Sequence, residues 1–223
     1  MEELTKDKDL YLCKNEAVVL DTFCLLIKEL NVDILTGWYS HGYDIPYIIK
    51  RLTILFGNAD KLSPVGNTWL GNRGAYDGYY KIKIRGLDSV DLMQVVQSLD
   101  YNLQNNKLDT AAEVILGEKY KKLKTSSWKD WKENFNQFIK YAIRDVEILY
   151  LIDKKLKLFE YLIQMQILSS ITSLNDIMSV TRLIDAMFIK KFWNKLVFPN
   201  NEEAKRVNYK GGLTIDPIIP GIH

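Results

Sequence analysis

Apolar residues recur along the first part of the chain with the periods of a helix, a strand and a second helix. Residues 16–30 place their apolar side chains on one helical face, and Asn15 before them is a favourable N-cap. Residues 32–38 form a short, β-rich apolar run, which predicts a buried strand. Residues 45–57 predict a second helix that ends at Gly57. This order of elements indicates an α/β fold.

The rest of the chain changes from mixed to mainly helical near residue 130. The segment at 79–86 alternates apolar residues with lysines, as a half-exposed strand does. In chain order, the pattern predicts a loop over 58–78, a half-exposed strand over 79–86, a segment over 89–99 that ends this strand or begins a helix, and helices over 105–117, 134–159, 160–171 and 175–195.

Composition narrows the class of protein. The 223 residues are 47% hydrophobic and 12% aromatic, enough for a sizeable core. Thirty basic and 28 acidic residues leave a net charge of +2, which neither requires nor excludes a nucleic-acid partner. Cys13 and Cys24 form no zinc or disulfide pattern, which favours a reducing compartment. The sequence has no run of 18 apolar residues, and its first twelve residues lack the apolar core of a signal peptide. We therefore expect an intracellular protein without a membrane span, in the cytoplasm or a virus-infected cell, with the nucleus left open.

Two acidic positions are candidates for chemistry. Asp44 follows the first predicted strand, where it is either the N-cap of the next helix or a ligand at the edge of an α/β sheet. Tyr141 and Asp145 are four residues apart and share a helix face, either as a surface contact or as a pair that orients a water molecule. Carboxylates from two such elements can complete a Mg²⁺ site, and phosphodiester hydrolysis commonly uses two ions.

Four segments resemble, in order, motifs of the family B DNA polymerases. "DILTGWYSHGYDIPYIIKRL" (33–52) closely resembles the second exonuclease motif of that family, and "YAIRDVEIL" (141–149) resembles the third. "NNKLDTAAEVILGEKYKKL" (105–123) is similar to the segment before the third motif. "YKGG" (209–212) is similar to the motif between the exonuclease and polymerase domains. Together these matches cover nearly the whole chain.

The resemblance implies a ribonuclease H-like exonuclease fold, incomplete at its N-terminal side and followed by a mainly helical segment. It implies Asp44 and Asp145 as carboxylate ligands of a two-metal site that takes Mg²⁺ or Mn²⁺. It implies Tyr141 as the group that helps to position the attacking water or the scissile phosphate. On this basis we expect a partial 3′–5′ exonuclease domain over 1–165 and a helical segment and linker toward a polymerase palm over 166–223.

The resemblance also implies contacts with DNA. Tyr43, the aromatic residue before Asp44, is expected near the frayed 3′ end of a primer. Tyr209, Gly211 and Gly212 are expected to contact the DNA strand, since glycine lets a backbone approach phosphates closely. The partners implied are single-stranded DNA at the primer 3′ end and the remaining parts of the polymerase, either in the same parent chain or as separate subunits.

Three departures from the family pattern qualify this interpretation. The first exonuclease motif, an Asp-x-Glu on an early strand, is absent, and Asp145 and Glu147 cannot replace it because they point about 200° apart on a helix. The asparagine of the second motif falls at Tyr39, with Ser40 beside it. The polymerase motifs do not follow "IPGIH". The motifs that are present thus supply two of the four metal-binding carboxylates that the family pattern predicts.

We therefore consider three hypotheses. The first is a partial family B DNA polymerase that carries most of the proofreading exonuclease and has very weak or no activity by itself. The second is a subunit of a split polymerase, with neighbouring genes supplying the missing motifs. The third is a non-catalytic module that binds single-stranded DNA through Tyr43, Tyr209, the tryptophans at 128 and 131 and the lysines of 119–124. Those tryptophans are alternatively core or helix-start residues, and the lysines a solvated loop.

Overall fold

The computed structural model describes residues 11–75, 78–99, 101, 103–120 and 130–198, except the side chains at 119, 130 and 131. Within these residues, helices and short strands alternate up to residue 116 and helices follow from residue 130. In chain order the elements are α1 (Glu16–Glu29), β1 (Ile34–Gly37), α2 (Asp44–Phe56), β2 (Thr68–Arg73), β3 (Tyr80–Ile84), β4 (Asp88–Asp91), α3 (Leu92–Ser98), α4 (Leu108–Leu116), α5 (Asp130–Glu133), α6 (Phe135–Leu156), α7 (Leu158–Ser169), α8 (Leu174–Ile177) and α9 (Val180–Phe192).

The strands form two small pairs. β1 and β4 are parallel, in a register that sets Gly37 opposite Asp91 at their carboxyl ends. The hydroxyl of Thr36 donates to the carbonyl of Val90 at 2.8 Å and ties the two strands together. β2 and β3 form an antiparallel hairpin with a register shift after Leu70. The parallel pair therefore provides the edge where two strand ends meet.

Two hydrophobic clusters cover the two faces of the parallel pair. Ile34 contacts the first cluster and its neighbour Leu35 contacts the second, as the alternation of side chains along a strand requires. The first cluster takes its buried residues from β4, α3, α4, α6, α7 and α8. The second takes them from α1, α2, the β2–β3 hairpin and the segments that flank it. Hence α2 and α6 pack their apolar faces on opposite sides of the strands.

Most of the predicted elements are confirmed, with bounds that differ by one to three residues. Asn15 caps α1 through its side-chain oxygen, which accepts from the N–H of Val18 at 3.0 Å. Gly57 ends α2 with a φ of +84°, where a residue without Cβ is favoured. The segment over 89–99 does both things that its pattern allowed, because β4 ends and α3 begins inside it. The burial of β3 alternates as its sequence predicted.

Three predictions of local structure were wrong. The expected helix over 175–195 is two helices, α8 and α9, with Met178 and Ser179 between them. The expected loop over 58–78 contains β2, whose pairing with β3 is a long-range contact that local propensity does not reveal. The expected helix over 134–159 is two helices, because Lys157 adopts a φ of +55° and separates α6 from α7. An apolar pattern that continues across one left-handed residue does not show this break.

The α/β class is confirmed by the order of helices and strands, and the chain divides into two compact units, Met1–Lys191 and Phe192–His223. The expected domain boundary at residue 165 stays a prediction. Among the described residues, no helix is long and apolar enough to cross a membrane.

Candidate active site

The segment that joins β1 to α2, residues 38–43, lies at the carboxyl end of the parallel strand pair. Open α/β sheets bind ligands at this end, because the loops there are free to carry functional groups. Gly37 closes β1, and a Cβ at this glycine would lie 2.9 Å from the Cβ of Ser40. The tight turn that leads from β1 to Asp44 therefore depends on glycine at this position.

Asp91 holds this segment in place. Its side chain is 2% exposed and accepts from the backbone N–H groups of Tyr39 at 2.9 Å and His41 at 3.0 Å. It also caps α3 by accepting from the N–H of Met93 at 3.1 Å. Burial raises the pKa of the Asp91 carboxyl, the three N–H groups oppose that change, and the negative charge of Asp44 adds to it. The two carboxylates are thus within electrostatic reach of each other.

Tyr39, at the position where the family motif has asparagine, has a left-handed backbone with a φ of +59°. Its hydroxyl accepts from Arg73 at 3.2 Å, and its ring packs edge-on against Tyr79 with 5.4 Å between centroids. A Cβ at Gly42 would lie 2.3 Å from the Tyr39 ring, so the glycine makes room for it. The ring contacts of the tyrosine therefore offset an unfavourable backbone, whereas asparagine suits this backbone by itself.

Replacing Tyr39 by asparagine should therefore cost less stability than replacing it by alanine. Both variants lose the contacts with Tyr79 and Arg73, but asparagine tolerates the left-handed region and alanine does not. We expect Tyr39→Asn to be more stable than Tyr39→Ala by about 0.5–1 kcal/mol. Urea unfolding of the two variants measures the difference. Equal stabilities, or a more stable alanine variant, would show that the backbone at residue 39 carries no strain.

Ser40 and His41 are the buried polar residues of the segment over 38–43. The hydroxyl oxygen of Ser40 is buried with no hydrogen-bond partner in the described part of the chain, so it does not supply the hydrogen bonding of the family's asparagine. His41 Nε2 lies 3.0 Å from the Ser89 hydroxyl oxygen, and the His41 carbonyl accepts from Tyr80 N–H. Burial lowers the pKa of His41 to about 4, so the imidazole is neutral at pH 7.

Asp44 is the first residue of α2, and the interpretation of this residue as an N-cap is wrong. The capping position is Tyr43, which makes no hydrogen bond from its side chain to the helix. Asp44 is exposed as a whole residue. Partial desolvation nevertheless raises the pKa of its carboxyl group, and a hydrogen bond from its own backbone N–H opposes that increase. The carboxylate is therefore accessible at the edge where β1 and β4 end.

Tyr141 and Asp145 lie one turn apart on α6, and both are partly buried. One carboxyl oxygen of Asp145 is out of contact with solvent. Ile148 and Ile152, further along the helix, are completely buried in the first cluster. The predicted pair therefore lies on the helix that covers the opposite side of the strands from α2.

The structure brings two of the predicted site residues together. Tyr43 and Asp44 are adjacent, and Asp44 lies near Asp91. Across the described ranges, no group of three or more His, Cys, Asp or Glu side chains is placed to hold a metal ion. Of the predicted DNA contacts, Tyr209, Gly211 and Gly212 lie outside the described residues.

Asp91 is the residue that the sequence analysis missed. An acidic residue directly before the apolar run "LMQVV" is a recognisable helix N-cap, so its local role was open to prediction. Its two hydrogen bonds to residues 39 and 41 cross 52 and 50 positions of sequence. They depend on the parallel register of β1 and β4, which no local pattern specifies.

Comparison with known proteins shows which family the chain resembles. Residues 2–111 match the family model for the exonuclease domain of DNA polymerase family B. The chain is 28% identical to the DNA polymerase catalytic subunit of Saimiriine herpesvirus 2 over 98% of its length. It is 25% identical to that of Equine herpesvirus 2 over 96%, and 22% identical to the DNA polymerase delta catalytic subunit of Caenorhabditis elegans over 92%.

The chain spans only 20–23% of the length of these three relatives. The family match covers residues 2–111, so it includes both Asp44 and Asp91. The resemblance carried by the sequence motifs is thereby confirmed, and the chain contains an exonuclease region of the family B DNA polymerases.

Proposed function

We propose that this chain supplies the 3′–5′ proofreading exonuclease of a family B DNA polymerase, on a ribonuclease H-like fold. In this reaction water adds to the phosphorus of the last phosphodiester, and the 3′ oxygen of the preceding nucleotide leaves. The observation that carries the proposal is the position of Asp44. Its accessible carboxylate begins α2 at the carboxyl edge of the parallel strands, inside the segment that matches the family.

The donor chemistry of the site suits a hard divalent cation. Asp44 and Asp145 offer carboxylate oxygens, which Mg²⁺ and Mn²⁺ prefer as ligands. Two such ions, when bound, activate a water molecule and stabilise the leaving oxygen. Tyr141, one turn before Asp145, is proposed to orient the water or the scissile phosphate through its hydroxyl. Tyr43 is proposed to contact the frayed primer end, and Tyr209, Gly211 and Gly212 to bind the DNA strand.

The same residues predict a weak site. Two carboxylates hold two divalent ions poorly, and the described ranges offer no group of three or more suitable side chains. Full activity therefore requires ligands from elsewhere in a polymerase, either in the same parent chain or from a separate subunit. DNA with a single-stranded primer 3′ end is the proposed substrate in both arrangements.

A nuclease assay on a primer with a mismatched 3′ end tests the proposal. We expect very slow or undetectable degradation by the isolated chain in Mg²⁺ or Mn²⁺. Any activity above background should fall to background in Asp44→Ala and in Asp145→Ala and persist in Asp185→Ala, which removes an exposed aspartate from α9. Robust degradation that requires Asp44 and Asp145 would confirm the site but refute its incompleteness. Degradation that persists in both variants would refute the assignment of the site.

Undetectable degradation by the chain alone calls for a second measurement. Adding the missing polymerase parts should then restore metal-dependent removal of the mismatched nucleotide, and the Asp44→Ala chain should not support it. Failure to restore activity, together with salt-dependent binding of oligothymidine that metal leaves unchanged, would instead favour a non-catalytic single-strand-binding module.

A further inference from the structure

Two tyrosines at the start of α2 form a stacked pair on the protein surface. The rings of Tyr43 and Tyr47 lie 6.0 Å apart between centroids and within 13° of parallel. Tyr43 is 64% exposed and Tyr47 is 52% exposed, although the neighbouring Ile45 and Ile49 are buried. The pair thus belongs to the solvent face of an amphipathic helix, and each ring is available to a ligand.

The pair stands directly beside the proposed site. Tyr43 precedes Asp44, and the N–H of Tyr47 donates to the carbonyl of Tyr43 at 2.9 Å. Tyr43 therefore directly precedes the first turn of α2 and Tyr47 belongs to that turn, at the carboxyl edge of β1. The hydrogen bond between their backbones holds the two residues together, so little order has to be gained when a flat ligand stacks on the rings.

Basic side chains continue the same helix face. Lys50, one turn after Tyr47, donates to the hydroxyl of Tyr80 at 3.0 Å, and no carboxylate forms a salt bridge with it within the described ranges. Arg51, four residues after Tyr47, is by contrast paired with Glu16. The Lys50 ammonium also lies 4.6 Å from the centroid of the Tyr80 ring, so a phosphate group that it contacts would share it with Tyr80.

An intrahelical role explains only part of this arrangement. Aromatic pairs four residues apart stabilise a helix by about 0.2–0.5 kcal/mol, which does not require both rings to remain exposed. Two parallel exposed rings followed by a cation are the combination that binds single-stranded nucleic acid, since bases stack on the rings and the cation meets the backbone. The neighbouring site, on the proposed function, acts on such a strand.

We propose that Tyr47 binds the DNA substrate directly, and that the Tyr43–Tyr47 pair stacks an unpaired base at the 3′ end of the strand. This proposal rests on the proposed function and extends it, because it assigns the base contact to a second residue. Stacking reads the flat face of a base and not its hydrogen-bonding edge. The pair should thus accept any of the four bases and favour an end that is already unpaired.

Binding of a 5′-labelled oligothymidine, measured by fluorescence anisotropy in the presence of a chelator, tests the proposal. We expect Tyr47→Ala to bind about five-fold more weakly or worse, because stacking contributes roughly 1–3 kcal/mol per base. Tyr47→Phe keeps the ring and should bind as the wild type does. Tyr150→Ala is the matched control, since Tyr150 is 62% exposed on α6 and has Lys154 beside its ring.

A second oligonucleotide separates stacking from a general loss of structure. It has the same length but carries abasic nucleotides at its 3′ end, so its phosphates remain and its terminal bases are missing. Wild type and Tyr47→Ala should bind this strand equally. An equal loss on both strands, or unchanged binding of oligothymidine by Tyr47→Ala, would overturn the stacking role.

Different results would overturn the proposed exonuclease function and the proposed role of Tyr47. Nuclease activity that depends on Asp44, combined with unchanged binding by Tyr47→Ala, would leave the exonuclease function standing and remove the role of Tyr47. If the wild-type chain binds neither oligonucleotide, the role of Tyr47 and the proposed DNA substrate are both overturned.

Discussion

Replacing Asp91 by alanine is expected to lower the free energy of unfolding by about 3–5 kcal/mol, because three backbone N–H groups lose a charged acceptor. Two of these groups belong to Tyr39 and His41, and the third to Met93 at the start of α3. The carboxylate is 2% exposed, so little water can reach the donors in its place. The result would identify Asp91 as the principal polar link between the segment before Asp44 and β4.

Two further variants make this prediction sharper. Asp91→Asn keeps one carbonyl-type oxygen but places an amide NH₂ near one of the three donors, so we expect a loss between those of wild type and Asp91→Ala. Asp185→Ala, an exposed change on α9, should alter the free energy of unfolding by no more than about 0.5 kcal/mol. Urea denaturation measures all three. A loss under about 1 kcal/mol in Asp91→Ala would contradict the proposed link.

We also expect Asp91→Ala to loosen the segment before Asp44 more than the rest of the protein. Asp91 fixes residues 39 and 41, and α2 begins at Asp44 immediately afterwards. Without those hydrogen bonds, the segment gains freedom to move where the metal-binding carboxylate is proposed to stand. Charge also contributes, since the burial of Asp91 and the charge of Asp44 raise the pKa of the same carboxyl. The two acids are thus linked in position and in electrostatics.

Sequence patterns located the parts of this site but not their assembly. The β1 run and the helix that ends at Gly57 were predictable because apolar periodicity and a glycine C-cap are local signals. β2 and the contacts of Asp91 were not, because they depend on pairing between distant strands. The motif resemblance selected Asp44 and Asp145, which stand on helices that pack on opposite sides of the strands, and local patterns do not specify such packing.

Tyr39, the residue that departs from the second exonuclease motif, also depends on contacts that the sequence does not reveal. The sequence marked Tyr39 as out of place, and the structure supplies the physical reason in its positive φ. Tyr39 retains its position through the ring of Tyr79 and the guanidinium of Arg73, which lie 40 and 34 residues along the chain. No motif comparison specifies such compensating contacts, because they come from a hairpin outside the motif.

Acidification is expected to destabilise the protein through His41 by about 3 kcal/mol between pH 6.5 and pH 4. Burial lowers the pKa of His41 from its ordinary value of 6.5 to about 4. Between these values the unfolded chain binds a proton at His41 and the folded chain does not. The free energy of unfolding therefore falls by about 1.4 kcal/mol per pH unit across this window and is unaffected by His41 above it.

His41→Gln isolates this contribution. Glutamine keeps a polar group near the Ser89 hydroxyl but does not titrate, so the variant should lose less stability than the wild type when the pH falls from 7.5 to 4.5. Asp91 acts with the opposite sign, because its raised pKa makes the folded chain take up a proton first as the pH falls. Asp91 is present in both proteins, so the difference between their pH profiles, measured by urea unfolding, reports His41. Parallel profiles over this range would show that His41 is protonated in the folded chain as readily as in the unfolded chain, and that its burial against β4 does not suppress its charge.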